Sequence, residues 1–462
     1  MEIKIFGAGK EVTGSCFALE TKESKILIDC GMFQGGKEMV RMNYEDFGFS
    51  PNQYSALILT HAHLDHCGRI PKLVKFGFNG KIYATDATRE LAYVIMMDAA
   101  KIAAEDTEHE NKRRAREGLP PRKPIYNQID VKNTMKLFSV INYDEDFKVG
   151  KDIIARFYDA GHILGAASVL FKIKEGKKTN LVAFSGDLGQ QNAVLVKNTE
   201  PITKADYVFM ESTYGDRLHP PINERKKELI RIINESYGKG GKLMIPSFAV
   251  ERAQEILYYI GEFMRQGLIP KMKVYLDSPM AIRATEVFKK YTKYYNAEVK
   301  QAIKTRKDIF SFPELIPTLT VEESKVINEI TEPCIIIAGN GMCSAGRIKH
   351  HLRNGIYNSK NTILFIGYQV TGTLGYWIKK GEKRIRLLGH EVDVKAKIES
   401  IDGFSAHADY KELLQWAKNF SPKPKKIYLV HGDEDQIIPF SKRLKENNLA
   451  SYSPSLRETI KT

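Results

Sequence analysis

The stretch SALILTHAHLDHCG, residues 55–68, joins an apolar run of strand length to a loop carrying His61, His63, Asp65 and His66. Three imidazoles and a carboxylate packed so closely cannot leave water cheaply unless something neutralises and organises them. A divalent cation does both. Imidazole and carboxylate donors without cysteine suit Zn2+, with Mn2+ or Fe2+ as alternatives. One short loop cannot enclose a pair of cations, so further ligands must come from distant parts of the chain.

Outward from this loop the same punctuation recurs. KILIDCG (25–31), IIARFYDAGH (153–162), NLVAFSGDLG (180–189), DYVFMESTYG (206–215) and KIYLVHGDED (426–435) are apolar runs that lead into Asp29, His162, Asp187, Glu211 and His431. Strands that end in such groups gather them on one rim of a sheet. Asp and Gly after a strand are also ordinary turn formers, which does not account for the histidines.

At 462 residues the chain exceeds one ordinary domain, and two are expected. Residues 206–389 change texture to strand, loop and helix units, among them GKLMIPSFAVERAQEILYYI, KVYLDSPMAIRATEVFKKY, CIIIAGNGMCSAGRIKHHL and TILFIGYQVTGTLGYWI. Repeated units of this kind predict a parallel sheet with helices on its faces. The return to short strands beyond them predicts an α/β domain inserted into another, divided as 1–205, 206–389 and 390–462. Residues 88–118 have helical spacing and are read as a helical hairpin or insertion ahead of Pro120 and Pro121. The loops AGNGMCSAG and GYQVTGTLG match neither a dinucleotide motif nor a phosphate loop, and remain open as phosphate holders or as tight turns. His350 and His351 sit on a predicted helix facing RNA or solvent and are not taken as ligands.

Seventy Lys and Arg against 56 Asp and Glu give a formal charge of +14, which favours polyanionic partners such as nucleic acid or an anionic membrane. The cysteines, Cys16, Cys30, Cys67, Cys334 and Cys343, are odd in number and lack CxxC spacing, so a reducing cytoplasm is expected. No stretch approaches the length of a membrane span, and the N-terminus does not read as a secretory leader.

The order HxHxDH after a strand-end Asp29, then His162, then Asp187, resembles the four motifs of the metallo-β-lactamase superfamily. ESTYGD around Glu211, SAHAD around His407 and LVHGDED around His431 resemble motifs A, B and C of its β-CASP nucleases, the branch of the cleavage and polyadenylation endonuclease subunit and RNase J. The resemblance implies an αββα metallo-β-lactamase sandwich with an inserted parallel-sheet α/β β-CASP domain. It implies two Zn2+ per chain, one held by His61, His63 and His162, the other by Asp65, His66 and His431, with Asp187 bridging. Asp29 would orient a ligand or the attacking water, since an imidazole ligand needs a fixed tautomer.

The chemistry implied by this resemblance is hydrolysis of single-stranded RNA by a hydroxide formed between two cations. His407 would protonate the departing ribose oxygen, Glu211 would hold its imidazole, and Ser405 with His407 would bind the substrate phosphate. The resemblance implies 5′-phosphate and 3′-hydroxyl products and leaves open endonuclease or 5′ exonuclease action, a homodimer and RNA-processing partner proteins. A DNA nuclease of the same superfamily and a catalytically silent RNA-binding scaffold are the competing readings. Histidine at position 431 favours RNA over DNA, and the complete ligand set disfavours a scaffold.

Overall fold

A computed structural model describes residues 1–367 and 369–462; Tyr368, in the GYQVTGTLG loop, lies outside the described residues. The chain divides into two compact units, Met1–Leu218 with His407–Thr462, and His219–Ala406.

Two mixed seven-stranded sheets build the first unit. One runs in the order Thr459–Lys461, Glu2–Gly7, Cys16–Glu20, Lys25–Ile28, Ala56–Ile58, Lys81–Ala84, Phe138–Val140. The other runs Ser451–Tyr452, Lys426–Val430, Tyr207–Glu211, Lys178–Phe184, Ala167–Glu175, Ile153–Asp159, Asp146–Lys148. Alternation explains how they meet: in Glu2–Gly7 every second residue is buried, and Ile3 and Ile5 join Phe17, Ile26 and Ile58 against Phe157, Phe171, Phe184 and Phe209 of the facing sheet. Each fully buried side chain of this size contributes about 1.5–3 kcal/mol. On the outer face of the second sheet, Val208, Met210 and Leu429 pack under the helices Tyr410–Lys418 and Glu434–Glu446 through Leu413, Trp416, Phe440 and Leu444. The result is the layered sandwich expected from the motifs.

The second unit holds a six-stranded sheet, ordered Leu315–Pro317, Val274–Asp277, Cys334–Ala338, Lys242–Pro246, Thr362–Phe365, Lys397–Ser400, in which every pairing is parallel.

Two expectations need correction. The segment 88–118 is not a hairpin: through residue 116 it is part of one helix, Asp86–Arg116, capped by the Thr85 hydroxyl and carried forward by ion pairs such as Lys112 with Glu108. The unit boundaries also lie further along the chain than 205 and 389. Tyr207–Glu211 pairs with Lys178–Phe184 and Lys426–Val430, which fixes it in the first unit, while Lys397–Ser400 pairs with Thr362–Phe365 and keeps the chain in the second. These ladders join segments far apart in sequence, so no local composition marks them.

Candidate metal centre

The second sheet presents Phe184, Glu211 and Val430 as the last residues of neighbouring strands and Asp159 as the last of a strand two places further along, and His162, Asp187 and His431 follow within three residues of such ends. Asp29 and His61 follow strand ends of the first sheet in the same way. Two of these residues hold the left-handed backbone region, Asp29 at φ 57° and His431 at φ 49°, which costs a non-glycine residue about 1–3 kcal/mol. Backbone bonds hold them there: Asp29 N–H donates to the Ile58 carbonyl and His431 N–H to the Ala8 carbonyl.

Two donor sets result. In one, His61 Nε2 and His162 Nε2 each lie 3.1 Å from His63 Nδ1, and Asp187 Oδ2 lies 3.4 Å from His61 Nε2 and 3.6 Å from His162 Nε2. In the other, His431 Nε2 lies 3.4 Å from both His66 Nε2 and Asp65 Oδ2, and Asp187 Oδ1 lies 3.4 Å from His66 Nε2. The edge of a tetrahedron with zinc–nitrogen bonds of about 2.0–2.1 Å is about 3.3–3.4 Å. Both sets therefore have the size of a cation's first coordination sphere, and Asp187 offers one oxygen to each. Each set could hold a metal ion.

Neighbouring groups fix the tautomers. Asp29 accepts from Thr60 N–H and the Thr60 hydroxyl, each at 2.8 Å, and from His66 Nδ1–H at 2.8 Å. With its own proton directed at Asp29, the Thr60 hydroxyl accepts from His61 Nδ1–H at 3.1 Å; Thr213, which donates to the His431 carbonyl, likewise accepts from His431 Nδ1–H. His61, His66 and His431 thus all turn a bare Nε2 inward. Those of His61 and His66 crowd around Asp187, whose buried Oδ1 has no hydrogen-bond partner. This is the fit expected for cations. Burial pushes the His61 imidazole down to about 3 and that of His63 to about 4, keeping both neutral. Burial opposes the charge on Asp65, but His431, His66 and His63 outweigh it and hold the carboxylate below its usual range. Burial disfavours the His66 imidazolium as well, but Asp187 and Asp29 outweigh it and raise it well above its ordinary value; neutral His61 and His63 and ionised Asp65 are in the protonation states that metal ligands require.

His407 stands beside these sets, its ring centroid 4.6 Å from that of His162. Its Nδ1 lies 3.1 and 3.2 Å from the two oxygens of the fully buried Glu211, which itself accepts Leu188 N–H at 2.6 Å. Burial disfavours the imidazolium, yet Glu211, with Asp187 and Asp65, raises it to about 9. An imidazole held this way through Nδ1 presents Nε2–H as a proton donor. Ser405 falls in the second unit. Sequence reasoning missed the hydroxyls of Thr60 and Thr213, which directly flank motif residues but whose part depends on where their oxygens point. The reading of His351 as facing RNA or solvent also needs correction, since it is buried with Nε2 2.6 Å from Asp277 Oδ2.

Comparison with known proteins agrees with this geometry. Residues 9–154 match the metallo-beta-lactamase superfamily, residues 253–378 the Beta-Casp domain, and residues 391–454 a Zn-dependent metallo-hydrolase RNA specificity domain. Ribonuclease TTHA0252 of Thermus thermophilus is 38% identical over 444 residues, covering 96% of both chains. Transcription termination factor FttA of Methanosarcina mazei is 33% identical, over 95% of this chain and 68% of its own length. An RNase J-like protein of Methanocaldococcus jannaschii is 32% identical over 95% of this chain and 94% of its own. A crystallised protein of unknown function from Enterococcus faecalis shares the fold at a TM-score of 0.55 and 13% identity, over 99% of each chain. The chain belongs to the β-CASP branch of the metallo-β-lactamase superfamily and is a metal-dependent hydrolase. Among the described residues no helix is long and apolar enough to cross a membrane.

Proposed function

We propose that this protein is a zinc-dependent ribonuclease acting on single-stranded RNA in the cytoplasm, with two Zn2+ per chain as cofactors and products ending in 5′-phosphate and 3′-hydroxyl. The pairing of His407 with buried Glu211 beside two convergent donor sets carries the reading, because a phosphodiester needs both a charge sink and a proton for its leaving oxygen. The ribonuclease and RNase J-like relatives and the RNA specificity domain support RNA as the substrate.

His61, His63 and His162 would hold one cation and Asp65, His66 and His431 the other, with Asp187 shared between them. Such a pair supplies Lewis acidity and a water deprotonated near neutral pH. The chain's own residues do the rest. Asp29, Thr60 and Thr213 keep the inward nitrogens unprotonated. His407 Nε2–H hands its proton to the departing 3′ oxygen, Glu211 keeps that imidazole oriented and charged, and Ser405 binds a phosphate oxygen.

The test is digestion of 5′-labelled and internally labelled single-stranded RNA and DNA of matching sequence, with products resolved over time. Shortening of RNA to fragments bearing 5′-phosphates supports the proposal, and the label positions separate internal cleavage from 5′ trimming. Cleavage of DNA alone, or of neither polymer by the zinc-loaded protein, overturns it.

A further inference from the structure

Within the second unit the parallel sheet contains a point where successive connections part company. The chain leaving Lys242–Pro246 crosses over Cys334–Ala338 to reach Val274–Asp277, through the helix Arg252–Arg265. The chain leaving Cys334–Ala338 crosses the other way to reach Thr362–Phe365, through the helix Ile348–Gly355. Right-handed crossovers running in opposite directions put their helices on opposite faces, which opens a crevice beyond the C-terminal ends of the two strands. Ser247 and Phe248 follow one strand end there, and Gly339, Asn340 and Gly341 follow the other.

Phe248 is the odd residue in that crevice. All the residues from Leu243 to Gly261 are buried except Phe248, which is 40% exposed. A Cβ on Gly341 would fall 2.9 Å from two of its ring carbons, and one on Gly367 would fall 3.8 Å from the ring. Glycine at both positions keeps a Cβ off this part of the ring, and the exposed part of the phenyl offers a flat apolar surface to a planar partner. Gln369 fixes one wall by donating from Nε2 to the Gly341 and Gly367 carbonyls at 3.0 and 3.3 Å.

Building on the ribonuclease reading, we propose that Phe248 is a stacking platform for an unpaired base of the RNA, at a subsite made entirely by the second unit. A base on a phenyl ring is bound through its π face and is read without hydrogen bonds, so the subsite accepts any of the four bases and gives length, not sequence, preference.

The experiment uses the full-length zinc-loaded protein as wild type, Phe248→Leu and Phe248→Trp, titrated with a fluorescent oligoadenylate and with an abasic oligomer of the same length. Phe248→Leu keeps an apolar side chain but loses the ring, and its affinity for oligoadenylate should fall by roughly 5- to 100-fold. Affinity for the abasic oligomer should stay unchanged. Phe248→Trp should bind oligoadenylate as tightly as wild type, with indole emission, taken as the difference from wild type, quenched by oligoadenylate and not by the abasic oligomer. Wild-type affinity in Phe248→Leu, or equal quenching by both oligomers, overturns the stacking assignment. A wild-type protein that neither binds nor cuts RNA strikes instead at the ribonuclease reading.

Discussion

Thr60→Val removes a single hydroxyl and keeps the side chain's shape. In the native protein that hydroxyl donates to Asp29 Oδ2 at 2.8 Å and accepts from His61 Nδ1–H at 3.1 Å. Valine leaves His61 two choices. With its proton on Nδ1 it buries a donor with no acceptor, at a cost of about 1–3 kcal/mol. With the proton on Nε2 it finds Asp187 Oδ2 at 3.4 Å but can no longer bind a cation. The metal-free protein escapes to the second form and the loaded protein cannot, so the penalty falls on binding. At about 1.4 kcal/mol per tenfold, the first site should weaken by roughly 5- to 150-fold, which brackets the roughly 10- to 100-fold usual for loss of a partner behind a metal ligand. His66 keeps Asp29 at 2.8 Å and the backbone N–H of residue 60 still reaches Asp29 Oδ1, so the other site should hold zinc nearly as before. Competition against a chromogenic chelator resolves the two affinities. Two unchanged affinities would show that the Thr60 hydroxyl does not set the tautomer of His61.

His407→Ala should retain zinc and RNA binding while cleavage slows by roughly 10²- to 10⁴-fold; a substrate with sulfur at the bridging 3′ position, whose thiolate leaves without a proton, should restore the rate, and an unrestored rate removes the leaving-group role. His63→Ala should lose zinc from the first donor set, and elemental analysis of a fully loaded variant would contradict the ligand assignment. Asp277 accepts from Thr318, Ser324, Arg347 and His351, each at 2.6 Å, so Asp277→Ala should cost roughly 3–5 kcal/mol in urea unfolding, as is usual when buried partners are stranded. Burial opposes the Asp277 charge, but His351, Ser324 and Thr318 outweigh it and pull the carboxyl to about 2. Its contribution should therefore be complete above pH ~4 and fade as the pH falls toward 2, and an unfolding midpoint equal in wild type and Asp277→Ala at pH 7 would refute this.

Much of the candidate site is legible in residue order because its proposed metal ligands obey local rules. Four of the seven candidate ligands share the loop His61–His66, and the others trail strands that announce themselves by apolar runs. Adjacent parallel strands end on the same rim, and the strands that precede Asp187, Glu211 and His431 are neighbours in one sheet. Tertiary structure alone decided anything set by direction or by long-range pairing. Thr60 and Thr213 look like any strand-end threonines until their hydroxyls are seen against His61 and His431. His351 reads as a helix-surface residue until Asp277, brought by a different strand, buries it. Phe248 is an apolar residue just past a strand end and by type belongs inside, and only the structure shows it 40% exposed beside glycines that follow two other strands. Composition and periodicity report how a segment prefers to fold. Which segments lie beside it, and therefore which of its polar atoms are satisfied and which surfaces stay open, is settled only when distant strands pair.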